Sequence, residues 1–267
     1  MKGINKKGIY EKYGINYNGG KIEAPFFGLI SPLLVNGNAK LGKGVYTWSM
    51  LPGNISHSVT LCGEKAEVKG TCPANCPGCY AQTGFYNMPE VKAANARKTV
   101  LARMRPAFVK AAILAQIEAE GVKLVRIHAS GDFFSPEYVE MWREIATVCP
   151  GVLFWTYTKN PEAETAFDRL ANVNVVRSCV PGYGYNFGKC AYILRLYYAL
   201  KEAGEDVYIC RCGIDKNQHC TTCRGCSRNK YVLFIEHSTD YKAEEDPAFP
   251  VLRAVIEAQR PEEVAAD

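Results

Sequence analysis

The sequence predicts an α/β fold in which β/α units build a mainly parallel sheet of about six strands. Three observations carry this. After Gly121, short runs rich in β-branched and aromatic residues alternate with helix-length periodic segments. The 267 residues are 48% apolar and 22% charged, the composition of a folded globular protein and the length of one large domain or two small ones. The chain also has no repeat of 20 to 50 residues and no low-complexity tract. Strands connected this way either close into a full or partial (β/α) barrel or lie in an open doubly wound sheet, and the pattern alone fits both.

Residues 1–58 are rich in Gly, Asn and Lys, and Pro25, Pro32 and Pro52 interrupt apolar stretches such as FFGLI and PLLV. They read as an irregular N-terminal extension with short strands. Pro89 opens a helix over VKAANARKTVLARMR, and Pro106 starts a second helix or kinks the first. Gly121 closes AFVKAAILAQIEAE. The series then runs strand KLVRIHA, helix SPEYVEMWREIATV, strand VLFWTYT, helix PEAETAFDRLA, strand VNVVRSC, helix KCAYILRLYYALKEAG and strand DVYIC. These readings give a β/α core over 59–209, a cysteine-rich segment over 210–230, and a last strand, YVLFIEH, with a C-terminal helix over 231–267.

Lys and Arg number 32 against 27 Asp and Glu, a net charge of +5 that neither demands nor hinders a polyanionic partner. No apolar run reaches membrane-spanning length, and the opening MKGINKKGIYEKYG has no apolar signal core. The expectation is a cytoplasmic protein with no membrane partner, whose twelve cysteines stay reduced and serve metals or redox chemistry. Nine of them fall in two windows, Cys62 to Cys79 and Cys210 to Cys226, which scatter would not produce. Cys149, Cys179 and Cys190 stand apart and read as buried small hydrophobes.

In the first window TCPANCPGCYA spaces Cys72, Cys76 and Cys79 as C-x3-C-x2-C. Three thiolates on one loop leave one iron of a four-iron cluster without a protein ligand, open to substrate or cofactor. Four cysteines also satisfy a structural zinc ion, and Cys62, ten residues before Cys72, would close the site.

This loop resembles that of the radical S-adenosylmethionine (SAM) superfamily. NGNAKLGKGVYTWSMLPG, TCPANCPGCYA, VRIHASGDFFSPEYVEMW and FWTYTKNPE resemble, more narrowly, a phage- and mobile-element-borne gene-product-88-like group. The resemblance implies a full or partial (β/α) barrel, a [4Fe-4S] cluster on Cys72, Cys76 and Cys79, and SAM chelated by the open iron. It further implies reductive cleavage of SAM to a 5′-deoxyadenosyl radical, fed by a reductant protein such as flavodoxin or ferredoxin. Where the superfamily has an aromatic residue before the third cysteine this chain has Gly78, and Tyr80 is the candidate substitute beside the adenine. Ser130, Gly131 and Asp132 occupy the place of a segment that contacts the SAM amino group.

Strand alternation puts Arg126, His128 and Ser130 on one face, making Arg126 and His128 further cofactor-binding candidates. The alternative roles are a core histidine for His128 and helix capping for Asp132 and Ser135. Trp155, Tyr157 and Lys159 on one strand, and Arg177 with Cys179 on another, are pocket candidates.

The second window supplies Cys210, Cys212, Cys220, Cys223 and Cys226, more thiolates than one tetrahedral ion needs. The resemblance suggests an auxiliary [4Fe-4S] cluster on Cys220, Cys223 and Cys226, completed by Cys210 or Cys212. The competing reading is a zinc knuckle that includes His219. The function expected is a radical SAM enzyme with two clusters, its substrate favoured to be a nucleic acid or nucleotide. The alternative is a non-catalytic zinc or iron–sulfur protein that binds nucleic acid or senses redox state.

Overall fold

The structure is a computed structural model that describes residues 4–37, 41–53, 55–72, 79–180, 182–215, 218–236 and 241–259. It opens with helix α1 (Lys6–Lys12), capped by the Asn5 side chain on Gly8 N, and an antiparallel meander of β1 (Tyr17–Asn18), β2 (Lys21–Ala24) and β3 (Gly28–Ile30). The short strand β4 (Val35–Asn36) pairs antiparallel with β5 (Val45–Ser49). A β-hairpin follows, β6 (Ser56–Leu61) and β7 (Glu64–Lys69).

Helices α2 (Pro89–Met104) and α3 (Pro106–Glu120) meet at Arg105, so Pro106 begins a new helix, as its missing N–H allows at a first position. The alternating series comes next: β8 (Leu124–Ser130), α4 (Pro136–Val148), β9 (Leu153–Thr158), α5 (Pro161–Phe167) and β10 (Val173–Arg177). Short strands β11 (Cys179–Val180), β12 (Gly184–Tyr185) and β13 (Phe187–Gly188) lead to α6 (Cys190–Glu202) and β14 (Val207–Ile209). The one-turn helix α7 (Cys220–Cys223), β15 (Tyr231–Ile235) and α8 (Phe249–Ala258) end the described chain.

The larger sheet has the order β10-β9-β8-β5-β4, parallel except for the β4 edge. The smaller has the order β13-β15-β14 and is parallel throughout. Thus β15, last in sequence, lies inside β14 rather than beyond it. Arg177 N donates to Lys230 O at 3.2 Å, joining the end of β10 to the chain entering β15. Among the described residues no sheet closes on itself.

One strand departs from the sequence reading. Residues 1–58 contain β5, which pairs in parallel register with β8 and belongs to the central sheet, not to an extension. Four of its five residues are buried, on both faces, as interior parallel strands require. Its shortness, after the glycine-rich LGKG, hid it among irregular segments.

Helices α3, α4 and α5 cover one face of the larger sheet through Val125, Ile127 and Phe154. Helices α6 and α8 cover the smaller sheet through Val207, Ile209 and Leu233. The opposite faces share a third core, which joins Val45, Leu124, Trp155 and Val176 to Tyr208, Val232 and the second cysteine window. Odd and even positions along each strand thus divide between the helix layer and this interior.

Candidate functional site

The first cysteine loop leaves and re-enters the fold at the carboxyl ends of β5 and β8. Before it, Thr71 N and Oγ1 both donate to Leu51 O, at 2.9 and 3.1 Å. Asp132 N donates to Thr71 Oγ1 at 3.0 Å. After it, the Tyr80 hydroxyl donates to Ala129 O at 2.6 Å, joined there by Tyr86 at 3.2 Å. Cys72 and Cys79 are therefore set by anchors on the ends of neighbouring strands, while Cys76 lies outside the described residues.

Gly131 makes the close approach possible. Its φ is +84°, and a Cβ there would come 2.7 Å from Thr71 Oγ1 and 3.0 Å from Met50 Cβ. Ser130 Oγ donates to Met50 O at 2.8 Å and accepts from Asn95 at 3.4 Å, holding β8 to the end of β5. Asp132 is buried and already engaged: its carboxylate accepts from Phe133 N, Thr158 Oγ1 and Lys159 N at 2.8, 2.6 and 3.0 Å. Burial raises its pKa against the opposing pull of these bonds. It clasps the ends of β8 and β9 together. Ser135 caps α4 by accepting from Tyr138 N at 3.3 Å.

His128 does not share a face with Arg126. Pairing of β5 with β8 shifts register between Thr47 and Ser49, and His128 has a φ of +60°. This irregularity turns its ring into the helix layer, where Nε2 meets the Tyr138 hydroxyl at 2.9 Å and the ring stands edge-on to Phe133. Burial, with the Arg126 charge, depresses its pKa to about 3, so it is a neutral core histidine. The alternation rule failed here because it assumes an unbroken ladder.

Cys62 is exposed at the turn of the β6–β7 hairpin, with φ of +51°, followed by Gly63 at +91°. Thr71 and Cys72 leave from the opposite end of the hairpin, about 17 Å away at the usual strand rise. That separation places Cys62 away from the anchors of the three-cysteine loop.

The second window packs against the interior faces of β8, β9 and β14. Cys210, Cys212, Cys220, Cys223 and Cys226 line one cavity of about 10 Å³ with Leu124 and Trp155. Cys212 hydrogen-bonds both Cys210 and Cys220, and these bonds, with burial, raise the pKa of each. Burial pushes Cys226 up to about 11, against a hydrogen bond from the Tyr157 hydroxyl. Cys223 Sγ lies 3.1 Å from the Tyr208 hydroxyl. Gly225 lets the loop press on that ring, since a Cβ would lie 2.3 Å from Tyr208 Cε1. Asn174 holds the loop backbone, donating to Cys226 O and Asn229 O, both at 2.9 Å.

Arg126 lies between Tyr80, which follows the first window, and Tyr157, which hydrogen-bonds Cys226 of the second. One guanidinium nitrogen donates to the Tyr80 hydroxyl at 3.0 Å, and the group lies 5.0 Å from the centre of the Tyr157 ring. Tyr80 and Arg126, proposed separately from the sequence, are thus in contact. Sequence reasoning did not single out Thr71, Tyr86, Tyr208 or Asn174, because each is a common residue type that acquires its role only by position. Trp155 and Tyr157 do face the interior, whereas Arg177 is committed to Glu164 and Tyr231. Cys190 is buried and Cys149 partly so, but Cys179 is exposed, contrary to its reading as a buried hydrophobe.

The sequence profile for Gene product 88 matches residues 32–229. The chain belongs to the gene product 88 family. That span covers both cysteine windows and the larger sheet, and leaves out α1, the β1–β3 meander, β15 and α8. The Gene 88 proteins of Mycobacterium phages L5 and D29 are 43% and 35% identical to this chain over 85 residues. In each case the aligned region is 31% of this chain and 34% of the relative, so the chain covers about a third of these relatives' length. No solved structure matches.

The donor chemistry of this gene product 88 family member suits thiolate-ligated centres: three cysteines on one loop, and five thiols round one cavity. No group of three His, Cys, Asp or Glu side chains among the described residues already stands at single-ion spacing. A four-iron cluster binds its thiolates through four different irons and would spread them further than a zinc ion does. In the 10 Å³ cavity there is room for little more than one water, so loading the second window requires its thiols to move outward. Among the described residues no helix is long and apolar enough to cross a membrane.

Proposed function

We propose that this protein is a radical SAM enzyme, with its two sheets forming a partial (β/α) barrel. Cys72, Cys76 and Cys79 would hold the catalytic [4Fe-4S] cluster. The second window would hold an auxiliary cluster. The observation that carries the reading is the anchoring of both ends of the three-cysteine loop at the carboxyl ends of parallel strands, where β/α folds build their sites. The cluster, when bound, supplies the electron that reductively cleaves SAM.

The protein's own residues would form the surroundings. Tyr80 and Tyr86 fix the chain that follows Cys79 to Ala129. Gly131 lets Thr71, the residue before Cys72, pack directly on the end of β8. Asp132 holds the β8 and β9 ends at fixed separation. A flavodoxin or ferredoxin in a reducing cytoplasm would supply the electron, and a nucleic acid or nucleotide is the favoured substrate class. The phage relatives support that class by association only.

A second reading draws on Asp132, whose carboxylate is engaged by three protein donors and not free for an ammonium group. In this reading the protein is a metal–thiolate module that binds nucleic acid or senses redox state. One experiment separates the two. Protein reconstituted anaerobically with iron and sulfide is reduced with dithionite, given SAM, and assayed for 5′-deoxyadenosine beside a Cys76→Ala control. Formation that depends on Cys76 supports the enzyme; no formation by iron-loaded protein overturns it in favour of the module.

A further inference from the structure

Arg126 is a largely enclosed cation for which no carboxylate partner exists among the described residues. Its contacts are the Tyr80 hydroxyl at 3.0 Å and the Tyr157 ring at 5.0 Å, and its Nε is buried with no hydrogen-bond partner. Enclosing a guanidinium without an anion is costly, and such groups persist when an opposite charge completes them. Arg177, a half-buried arginine on β10, is by contrast paired with Glu164 at 2.8 Å. The titratable groups around Arg126 are the phenols of Tyr80, Tyr86 and Tyr157 and the thiols of Cys220 and Cys226, and of these the thiols are the ones that metal binding deprotonates. The geometric link to them is Tyr157, whose ring centre lies 5.0 Å from the guanidinium and whose hydroxyl hydrogen-bonds the thiol of Cys226. As neutral thiols these leave Arg126 uncompensated. Metal binding removes their protons and creates the missing negative charge.

We propose that Arg126 is the counter-ion of a metal–thiolate centre at the second cysteine window. The proposal rests on reading that window as an iron–sulfur site and assigns Arg126 as a positioning residue that sets the electrostatics of the centre without ligating it. A cluster held by four thiolates is an anion and gains further negative charge on reduction. A neighbouring cation therefore favours the reduced form and raises the potential.

The test uses the full chain with Cys72, Cys76 and Cys79 all changed to alanine, so that only the second window can take up a cluster. Iron and sulfide per chain are measured after anaerobic reconstitution, and the midpoint potential is read by redox titration followed by electron paramagnetic resonance. Arg126→Gln is expected to load iron as the parent does and to titrate at a lower potential, and Arg126→Lys to stay near the parent. If only the lysine variant loads, the requirement for positive charge is met in another form and the proposal stands. An unchanged potential in iron-loaded Arg126→Gln overturns it, as does loss of iron from both variants while circular dichroism shows them folded. No iron in the parent itself would overturn the cluster reading, and the counter-ion with it.

Discussion

The guanidinium of Arg126 and the hydroxyl of Tyr80 meet at 3.0 Å, joining a residue of the third position of β8 to the residue that follows Cys79. Tyr80 passes the connection on, donating to Ala129 O on the same strand. Tyr80→Phe removes both bonds. It should cost about 1 kcal/mol in urea unfolding, more than Tyr86→Phe, whose single bond to Ala129 O is longer at 3.2 Å. The reverse order would show that the Arg126 contact contributes nothing to stability.

His128 makes stability depend on pH. Its pKa of about 3 in the fold lies below the unfolded value near 6.5, so the unfolded chain binds the extra proton between these limits. Stability from this group is complete above pH 6.5 and is lost as pH falls towards 3. About 2 kcal/mol should disappear between pH 7 and pH 5 from His128 alone. Urea midpoints across that range should fall steeply in the parent and less so in His128→Gln; parallel profiles would refute the assignment.

Gly131→Ala meets two penalties, a φ of +84° and a Cβ 2.7 Å from Thr71 Oγ1. The expected loss is about 1–3 kcal/mol. In a Thr71→Ala background the clash with Thr71 Oγ1 disappears while the dihedral part and the 3.0 Å approach to Met50 Cβ remain, so the same substitution should cost less there. A double-mutant cycle in thermal or urea unfolding measures the difference, and strict additivity would show that the two residues do not press on each other.

Cys62→Asn should leave the iron content of reconstituted protein unchanged. Cys62 occupies a left-handed turn position at the exposed hairpin tip, which asparagine adopts readily, so stability should hold or rise slightly. Loss of iron in this variant, measured per chain beside Cys72→Ala, would make Cys62 a ligand after all.

Much of the element order was legible because periodicity is local. The strands after Gly121, the helices between them, the break at Pro106 and the Ser135 cap all follow from residues within a few positions of one another. Three features escaped for one reason. The role of β5 as an interior strand depends on β8, 75 residues later, lying beside it. The turn of His128 away from Arg126 depends on a register shift against β5. The engagement of Asp132 depends on Thr158 and Lys159 at the end of a different strand.

By itself the sequence determined the kind of chemistry available: two groups of thiols, three on one loop and five in another, at spacings set by covalent geometry. It also determined the alternation that buries one face of each strand under helices. The tertiary structure alone decided that Tyr80, beside the first group, and Tyr157, bonded to the second, meet at Arg126. That meeting brings residues 46 and 31 positions away in the chain, Tyr80 and Tyr157, to the same guanidinium. No local pattern encodes such a meeting, because it is made by parallel strands whose register is fixed by packing across the whole sheet.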